Sequence, residues 1–397
     1  MSFNEVAIAD LGQIVTGKTP STKNAAFFDG NYQFVTPSDL GWKTYYCQLT
    51  ERTVTEDAKK AHFNQFIPAG AVMVTCIGNT IGKCGISAGE SLTNQQINTI
   101  VPNEGISRKF VYYLLIHNVE LIRGIGLGGG SATPILNKSA FSRIRLRVPP
   151  RRSWESIASI LSAYDDLIEN NRRRIQLLEQ AARLLYKEWF VHLRFPGHEH
   201  VKVKDGVPDG WEKMALSDLC MEIRELVSPT AFEPDTPYVG LEHMPRRSIS
   251  LSEWGTAEQV TSSKHRFREN EILFGKIRPY FHKVGIAFTD GVASSDSIVI
   301  RPLDGVLMPL VLMIVSSDGF VAVTAQTMKE GSKMPRADWK QMQQYIVPLP
   351  SDGLLSMFNS VIEPIIQQLK TLGFANRKLS TARDLLLPRL MNGAVVV

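Results

Sequence analysis

Several things are missing from this chain, and each absence narrows its function. Its 397 residues hold no apolar run as long as a membrane span, and the opening MSFNEVAIADLG lacks the basic start and apolar core of a leader. A chain without membrane contact is expected. The four cysteines, Cys47, Cys76, Cys84 and Cys220, form no Cys-x-x-Cys pair and no regular framework. That excludes a disulfide scaffold and predicts a reducing, cytoplasmic setting. A strong charge of either sign is also missing. With 44 basic and 39 acidic residues the net charge is +5, which permits nucleic-acid binding without demanding it.

Motifs for catalysis are incomplete. Gly78-Asn-Thr-Ile-Gly82-Lys83-Cys84 resembles a phosphate loop, but has three residues between its glycines and Cys where Ser or Thr would bind magnesium. A β-turn with an exposed lysine fits it better. Gly124 to Gly129 spells GxGxxG, yet it follows a helix candidate and has no acidic residue at the expected downstream position, so a flexible turn is expected. His192, His198 and His200 lie in a Gly/Pro-flanked linker, and Ser294-Ser295-Asp296-Ser297 has no histidine partner at informative spacing. No Asn/Asp-Pro-Pro-aromatic tetrapeptide of the amino-methyltransferases occurs. No metal site and no resident cofactor are expected.

One long stretch organises what is present. Trp154 to Phe190 contains neither Gly nor Pro, and Ser153 stands before it as an N-cap. Ile157, Leu161, Tyr164, Ile168, Asn171, Ile175, Leu178, Ala182, Leu185 and Trp189 follow at steps of four and three, a coiled-coil seam interrupted by one polar residue. The seam returns 201 residues later as Phe358, Ile362, Ile365, Leu369, Leu372, Asn376, Leu379, Arg383, Leu386 and Leu390. Pro364 predicts a kink in this copy, and Pro388 an end or bend near Leu387.

The repetition extends beyond the helices. Gly70-Ala-Val-Met-Val aligns with Asn270-Glu-Ile-Leu-Phe, Ile81-Gly-Lys-Cys-Gly-Ile86 with Phe281-His-Lys-Val-Gly-Ile286, and Gly130-Ser131 with Gly331-Ser332. The offset is 200 in mid-domain and 201 afterwards. Residues 1–150 read as an α/β domain with strands such as Tyr32–Val35, Ala71–Cys76 and Ile97–Val101 and one helix over 107–123; residues 195–350 repeat the plan. Each is followed by a helical region, 151–194 and 351–397. The expected fold is α/β: two globular domains joined by two long antiparallel coiled-coil helices, a pseudo-two-fold tandem repeat. A helix of about 37 residues spans roughly 56 Å, more than the roughly 34–36 Å of one DNA turn.

Four segments carry a family resemblance in order along nearly the whole chain. They are Gly17-Lys-Thr-Pro-Ser21, Asn94-Gln-Gln-Ile97, Val347-Pro-Leu-Pro350 ahead of a helix, and Leu385-Leu-Leu-Pro-Arg-Leu-Met-Asn-Gly393. Together they resemble the specificity subunits of type I restriction–modification systems. Members often carry Glu-Gln at the start of each helical region, where this chain has Ser153-Trp-Glu-Ser156 and Ser351-Asp-Gly353. The resemblance implies a non-catalytic reader of double-stranded DNA, with target-recognition domains at 1–150 and 195–350. It also implies a bipartite asymmetric site, two docked methyltransferase subunits and restriction subunits beyond them. S-adenosylmethionine, ATP and magnesium would belong to those partners. A protein-only scaffold whose end domains bind polypeptides is the alternative.

DNA contacts need basic or small polar residues on exposed loops. In the first domain these are Lys18, Thr19, Ser21, Lys23, Asn79, Thr80, Lys83, Ser131 and Thr133. In the second they are Lys276, Arg278, Tyr280, Lys283, Lys333 and Arg336. Each could instead be a solvated surface residue. The expected helix-pair interface comprises Ile157, Leu161, Tyr164, Ile168, Leu178 and Leu185 against Phe358, Ile362, Ile365, Leu369, Leu379 and Leu386. Residues 196–350 carry 17 basic and 20 acidic side chains, so a DNA reader there must concentrate its positive charge on one side.

Overall fold

Two strands with apolar neighbours on both faces lie at the centre of the fold. Val72–Thr75 and Ile272–Gly275 are buried throughout, as near-continuous apolar runs require. In the computed structural model, residues 3–42, 44–128, 134–326 and 335–397 are described. Contacts divide the chain into one unit of Met1–Leu167 with Leu379–Val397, and a second of Ile168–Lys378. Among the described residues, no single helix is long and apolar enough to cross a membrane.

In the first unit a five-stranded sheet runs Gly12–Thr16, Ile97–Pro102, Val72–Thr75, Cys84–Ser87, Tyr46–Cys47. All its pairings are antiparallel except the last, which is parallel. A second sheet runs Arg52–Val54, Phe28–Val35, Ser91–Thr93, Phe66–Ile67. The pleat of the central strand sends Val72 and Val74 into a core with Phe110, Leu114 and Trp154, and Met73 into another with Val15, Val35 and Ile97.

The second unit repeats this order with Cys220–Ile223, Ser297–Pro302, Ile272–Gly275, Val284–Ala287 and Ser250–Leu251, again with a parallel last pair. Its other sheet adds Leu226–Val227 to the equivalents of the first unit's four strands. Most elements follow the offset of 200–201. The strand at each sheet's edge does not: Gly12 and Cys220 hold the same register, against Pro102 and Pro302, and are 208 apart.

Local expectations changed in four places. The helix expected over 107–123 is two, Arg108–His117 and Val119–Leu127, bent by 62° at Asn118, whose side-chain amide donates to the Leu114 carbonyl at 2.8 Å. Gly124 and Gly126 belong to the second of these rather than to a flexible turn, and Gly126 packs against Ile81. Ser153 is no N-cap: it ends a 3-10 turn, and its hydroxyl donates to the Pro150 carbonyl at 2.8 Å. Pro388 does not end the second long helix, which runs from Asp352 to Met391 through both prolines. A proline this close to a C-terminus removes one hydrogen bond, and the seam residues Leu387, Leu390 and Met391 stay buried around it.

The first long helix spans Trp154–Tyr186 and continues in a π-helical turn, Lys187–Val191. Each unit contains part of both long helices, packed antiparallel. In the first unit, Ile157 and Leu161 share a core with Leu387, Leu390 and Met391. In the second, Phe190 meets Phe358 edge-on at 4.9 Å, and Leu178, Leu185, Ile362, Ile365 and Leu369 join the same core. Asn171, the polar interruption of the seam, donates to the Asn376 amide oxygen at 3.0 Å. Ile168 is buried, and Leu379 is partly so. At three positions the most buried residue is the next one along: Asp165 rather than Tyr164, Ile366 rather than Ile365, Leu387 rather than Leu386.

Asp165 accounts for the first of these. It is 2% exposed, pairs with the buried Arg383 and accepts the Tyr113 hydroxyl at 2.6 Å. The equivalent residues of the second unit, at the offsets already established, are Ile366, Ala182 and Met313, all apolar and buried. Without Asp165 the buried Arg383 is left with the more exposed Asp384 as its carboxylate partner. Asp165→Ala should therefore cost about 3–5 kcal/mol in urea unfolding of the full chain. The triple variant Tyr113→Met, Asp165→Ile, Arg383→Ala, which copies the second unit, should recover most of that loss.

A second buried carboxylate ties helix to sheet. Glu179 accepts from the Ser248 hydroxyl at 2.6 Å and from the Ile249 and Ser250 amides at 2.9 and 3.1 Å. Burial outweighs these bonds and raises its pKa. The folded state thus holds the proton to higher pH than the unfolded chain, and this group's contribution to stability falls as pH rises from the ordinary carboxylate range. Glu179→Gln should flatten that fall in thermal unfolding and be no less stable at neutral pH. Glu179→Ala should destabilise at every pH, because two main-chain donors lose their acceptor.

Candidate nucleic-acid interface

Strand direction gathers the candidate residues at one sheet edge in each unit. In the first unit, the strands Gly12–Thr16 and Val72–Thr75 end where Cys84–Ser87 and Ile97–Pro102 begin. The loops carrying Lys18–Lys23, Gly78–Lys83 and Asn94–Gln96 therefore leave the sheet at the same end. Main-chain bonds join them: Lys18 N–H to the Thr93 carbonyl at 2.8 Å, Cys76 N–H to Gln96 at 2.8 Å, and Gly78 N–H to Pro134 at 2.8 Å. The Thr19 hydroxyl donates to Gln95 Oε1 at 2.6 Å. Lys18, Ser21, Lys23 and Asn79 are exposed, Thr80 and Lys83 half-buried, and the Thr80 hydroxyl donates to the Ile77 carbonyl. Ser131, Thr133 and Lys333 lie outside the described residues.

The turn at Gly82 brings in residues that sequence reading missed. Gly82 has φ +93°, and a Cβ there would strike Val119 and Arg123. This close approach places Lys83 and Arg123 at 5.7 and 4.8 Å from the ring centre of Trp42, which is 44% exposed. An exposed indole between two cations offers a stacking face and phosphate-binding charge together. Only the fold brings Trp42 and Arg123 together; the Gly41-Trp42 pair was the one sequence signal.

In the second unit, Arg278 and His282 occupy the positions of Gly78 and Gly82. They keep the left-handed backbone, with φ +48° and +54°. A side chain in that conformation costs about 1–2 kcal/mol. His282 is buried, with Nε2 2.8 Å from the Ser316 carbonyl, whereas Arg278 is exposed. The strained backbone holds the Arg278 side chain out at the surface of the turn. Arg278 and Arg246 flank the Phe281 ring at 5.8 and 4.1 Å, and Tyr280, 53% exposed, packs edge-on against it. Lys283 is half-buried and donates to the Leu241 carbonyl at 2.5 Å.

Beside this turn the two units differ in chemistry. The first has a neutral network: Thr16 donates to the buried Asn98 at 2.6 Å, and Asn98 donates to Cys76 Sγ and to the Leu136 carbonyl, both at 3.3 Å. The second has charge. Lys276 stands where Cys76 does, donating to the Ser295 carbonyl at 3.3 Å, and burial lowers its pKa. Arg336 pairs with Asp296 at 3.1 Å, and Arg224 with Glu222 at 2.6 Å. Glu222 and Arg224 escaped sequence reading because they lie on and just after the strand whose offset is 208.

Two copies of one sheet fold, each with basic, aromatic and amide groups collected at one loop edge, define a tandem DNA-recognition protein. Comparison with known proteins makes this specific. Residues 2–180 match the family described as Type I restriction modification DNA specificity domain. The chain is 26% identical over 98% of its length, and 93% of the relative's, to the Type I restriction enzyme MjaIX specificity subunit of Methanocaldococcus jannaschii. It is 31% identical over 44% of its length, and 38% of the relative's, to the HindI specificity subunit of Haemophilus influenzae. Its fold is similar to that of the type I S subunit from M. genitalium, with a TM-score of 0.56 at 15% identity, covering 98% of this chain and 96% of the other. Residues 2–180 thus match a DNA specificity domain of type I restriction–modification systems, and the chain is similar along nearly its whole length to a specificity subunit of such a system.

The geometry separates free cations from committed ones. Arg246→Ala with Arg278→Ala should weaken duplex binding by the assembled complex and lower its salt slope by about two, roughly one per phosphate contact. Lys283→Ala, whose ammonium is committed to Leu241, should leave that slope nearly unchanged.

Proposed function

We propose that this cytoplasmic chain reads a bipartite, asymmetric DNA site, each sheet domain addressing one half. One observation carries the reading: two domains of the same topology present different chemistry at equivalent positions. Thr16, Cys76, Gln96 and Ile135 in one correspond to Arg224, Lys276, Asp296 and Arg336 in the other. Identical readers would address a symmetric site, and these are not identical. The remaining candidates, Lys18, Thr19, Ser21, Lys23, Asn79, Thr80, Lys83, Arg278 and Tyr280, supply positioning contacts around them.

In the same reading, two methyltransferase subunits dock on the outer faces of the long helices, and restriction subunits join through them. Support comes from apolar side chains left in solvent on those faces. Leu177, Leu184 and Val191 recur every seven residues and are 57%, 62% and 56% exposed, and Met357 and Val361 are exposed on the second helix. S-adenosylmethionine, ATP and magnesium belong to these partners. The residues carried by this chain bind and orient DNA.

The test is a genome-wide methylation map of cells expressing the chain with its cognate methyltransferase subunit, compared with cells lacking the chain. A two-part motif should appear only with the chain, and exchanging residues 1–150 for those of a relative should change one half alone. An unchanged map would reject the reading.

A further inference from the structure

The charged edge of the second unit is built differently from a phosphate-binding surface. Arg224 donates from both Nε and Nη2 to Glu222 Oε2, at 2.7 and 2.6 Å, and the Glu222 side chain is only 8% exposed. Arg336 Nη2 lies 3.1 Å from Asp296, itself 30% exposed. Both arginines keep most of their surface in solvent, at 66% and 59%. The carboxylates thus fix them from behind while leaving donors free in front.

The backbone beneath is equally determined. Ala337 N–H donates to the Lys276 carbonyl at 2.9 Å, Arg278 N–H to Pro335 at 3.0 Å, and Lys276 N–H to Asp296 at 2.7 Å. Arg336 therefore projects from a segment pinned to the neighbouring turn and bridged to Ile277. Beside the Glu222–Arg224 pair lie the half-buried Lys276 and His265, whose Nδ1 is buried with no hydrogen-bond partner among the described residues. Arg224, Arg336, Glu222 and Asp296 all act electrostatically on Lys276, which places the two pairs around one centre.

Local charge decides what this cluster suits. Three cations against two carboxylates leave little net attraction for a phosphate, and pinned side chains cannot follow a mobile backbone. Base edges need the opposite: fixed donors and fixed acceptors at a set spacing. An arginine gives guanine O6 and N7 a bidentate partner, and a carboxylate accepts from the cytosine N4 amino group. An arginine held by a carboxylate therefore presents a fixed fork that matches the guanine edge of a G·C pair.

We propose that Arg224 and Arg336, held by Glu222 and Asp296, are specificity-determining residues that read G·C pairs in the half-site addressed by residues 195–350. This rests on the bipartite reading above. The first unit has no charge at the equivalent positions, and the amides of its edge, Gln95 and Gln96, give it a different code.

The experiment uses the full chain with its methyltransferase subunit, mapped as before. The half-site assigned to residues 195–350 should contain G·C pairs. Arg224→Lys and Arg336→Lys keep the charge but lose the fork. Each should reduce discrimination at one G·C position from about tenfold to a hundredfold to within a few-fold, leaving the other half-site intact. A half-site without G·C pairs, or lysine variants that keep the whole motif, would overturn the assignment. Should a lysine variant give no methylation, duplex binding by the purified complex decides. Near-equal affinity for the parent site and for one with that G·C pair changed to A·T supports the proposal; a retained tenfold preference overturns it. A wild-type chain that generates no motif would instead be a failure of the bipartite reading itself.

Discussion

Burial of the two helix seams is the constraint on which both units depend. Trp154, Ile157 and Leu161 cover the core begun by Phe110 and Val72, and Leu387, Leu390 and Met391 complete it from the far end of the sequence. Phe110 stacks on Trp154 at 4.3 Å, so helix and sheet domain are one packed object rather than a head on a stalk. In the second unit Ala182 and Phe190 meet Phe358, Ile362, Ile366 and Leu369 in the core that holds Ile272 and Phe274. Neither core closes without contributions from both helices. The first unit also gathers residues from both ends of the chain, and such non-local closure is slow to form.

Duplication explains how one fold came to carry unlike surfaces. Inward residues are exchanged only for others that pack: Tyr113 for Met313, Asp165 for Ile366, Arg383 for Ala182. The polar set in the first unit is mutually satisfied, and its counterpart in the second is wholly apolar, so each is self-consistent where a mixture would not be. At the loop edge charged replacements can reach solvent, so packing constrains them less. There Gly78 can become Arg278 and Cys76 can become Lys276, with the strained backbone kept for the side chain it aims. Recognition can thus diverge while the frame stays constant.

The balance of charge follows the same division. Residues 196–350 carry more acidic than basic groups, yet Arg246, Arg278, Arg224 and Arg336 collect around the turn and sheet edge of this unit. Net charge is a poor guide to a surface whose carboxylates hold arginines in place. Glu222 and Asp296 subtract from the total while making their partners better readers.

Legible in the sequence alone were the tandem plan, the two long helices, the antiparallel seam with its polar break at Asn171, and the resemblance to type I specificity subunits. These are periodic or repeated features, and periodicity survives in one dimension because burial recurs every three or four residues along a helix. Only the tertiary structure decided which residues meet. It set Asp165 rather than Tyr164 against the partner helix, split the helix at Asn118, drew Lys283 and Lys276 into half-buried bonds, and brought Trp42 to Arg123 and Arg224 to the Lys276 turn. Those contacts join segments tens of residues apart, across loops whose lengths differ between the two copies. Strand direction and packing, which no local pattern records, decide where such loops converge.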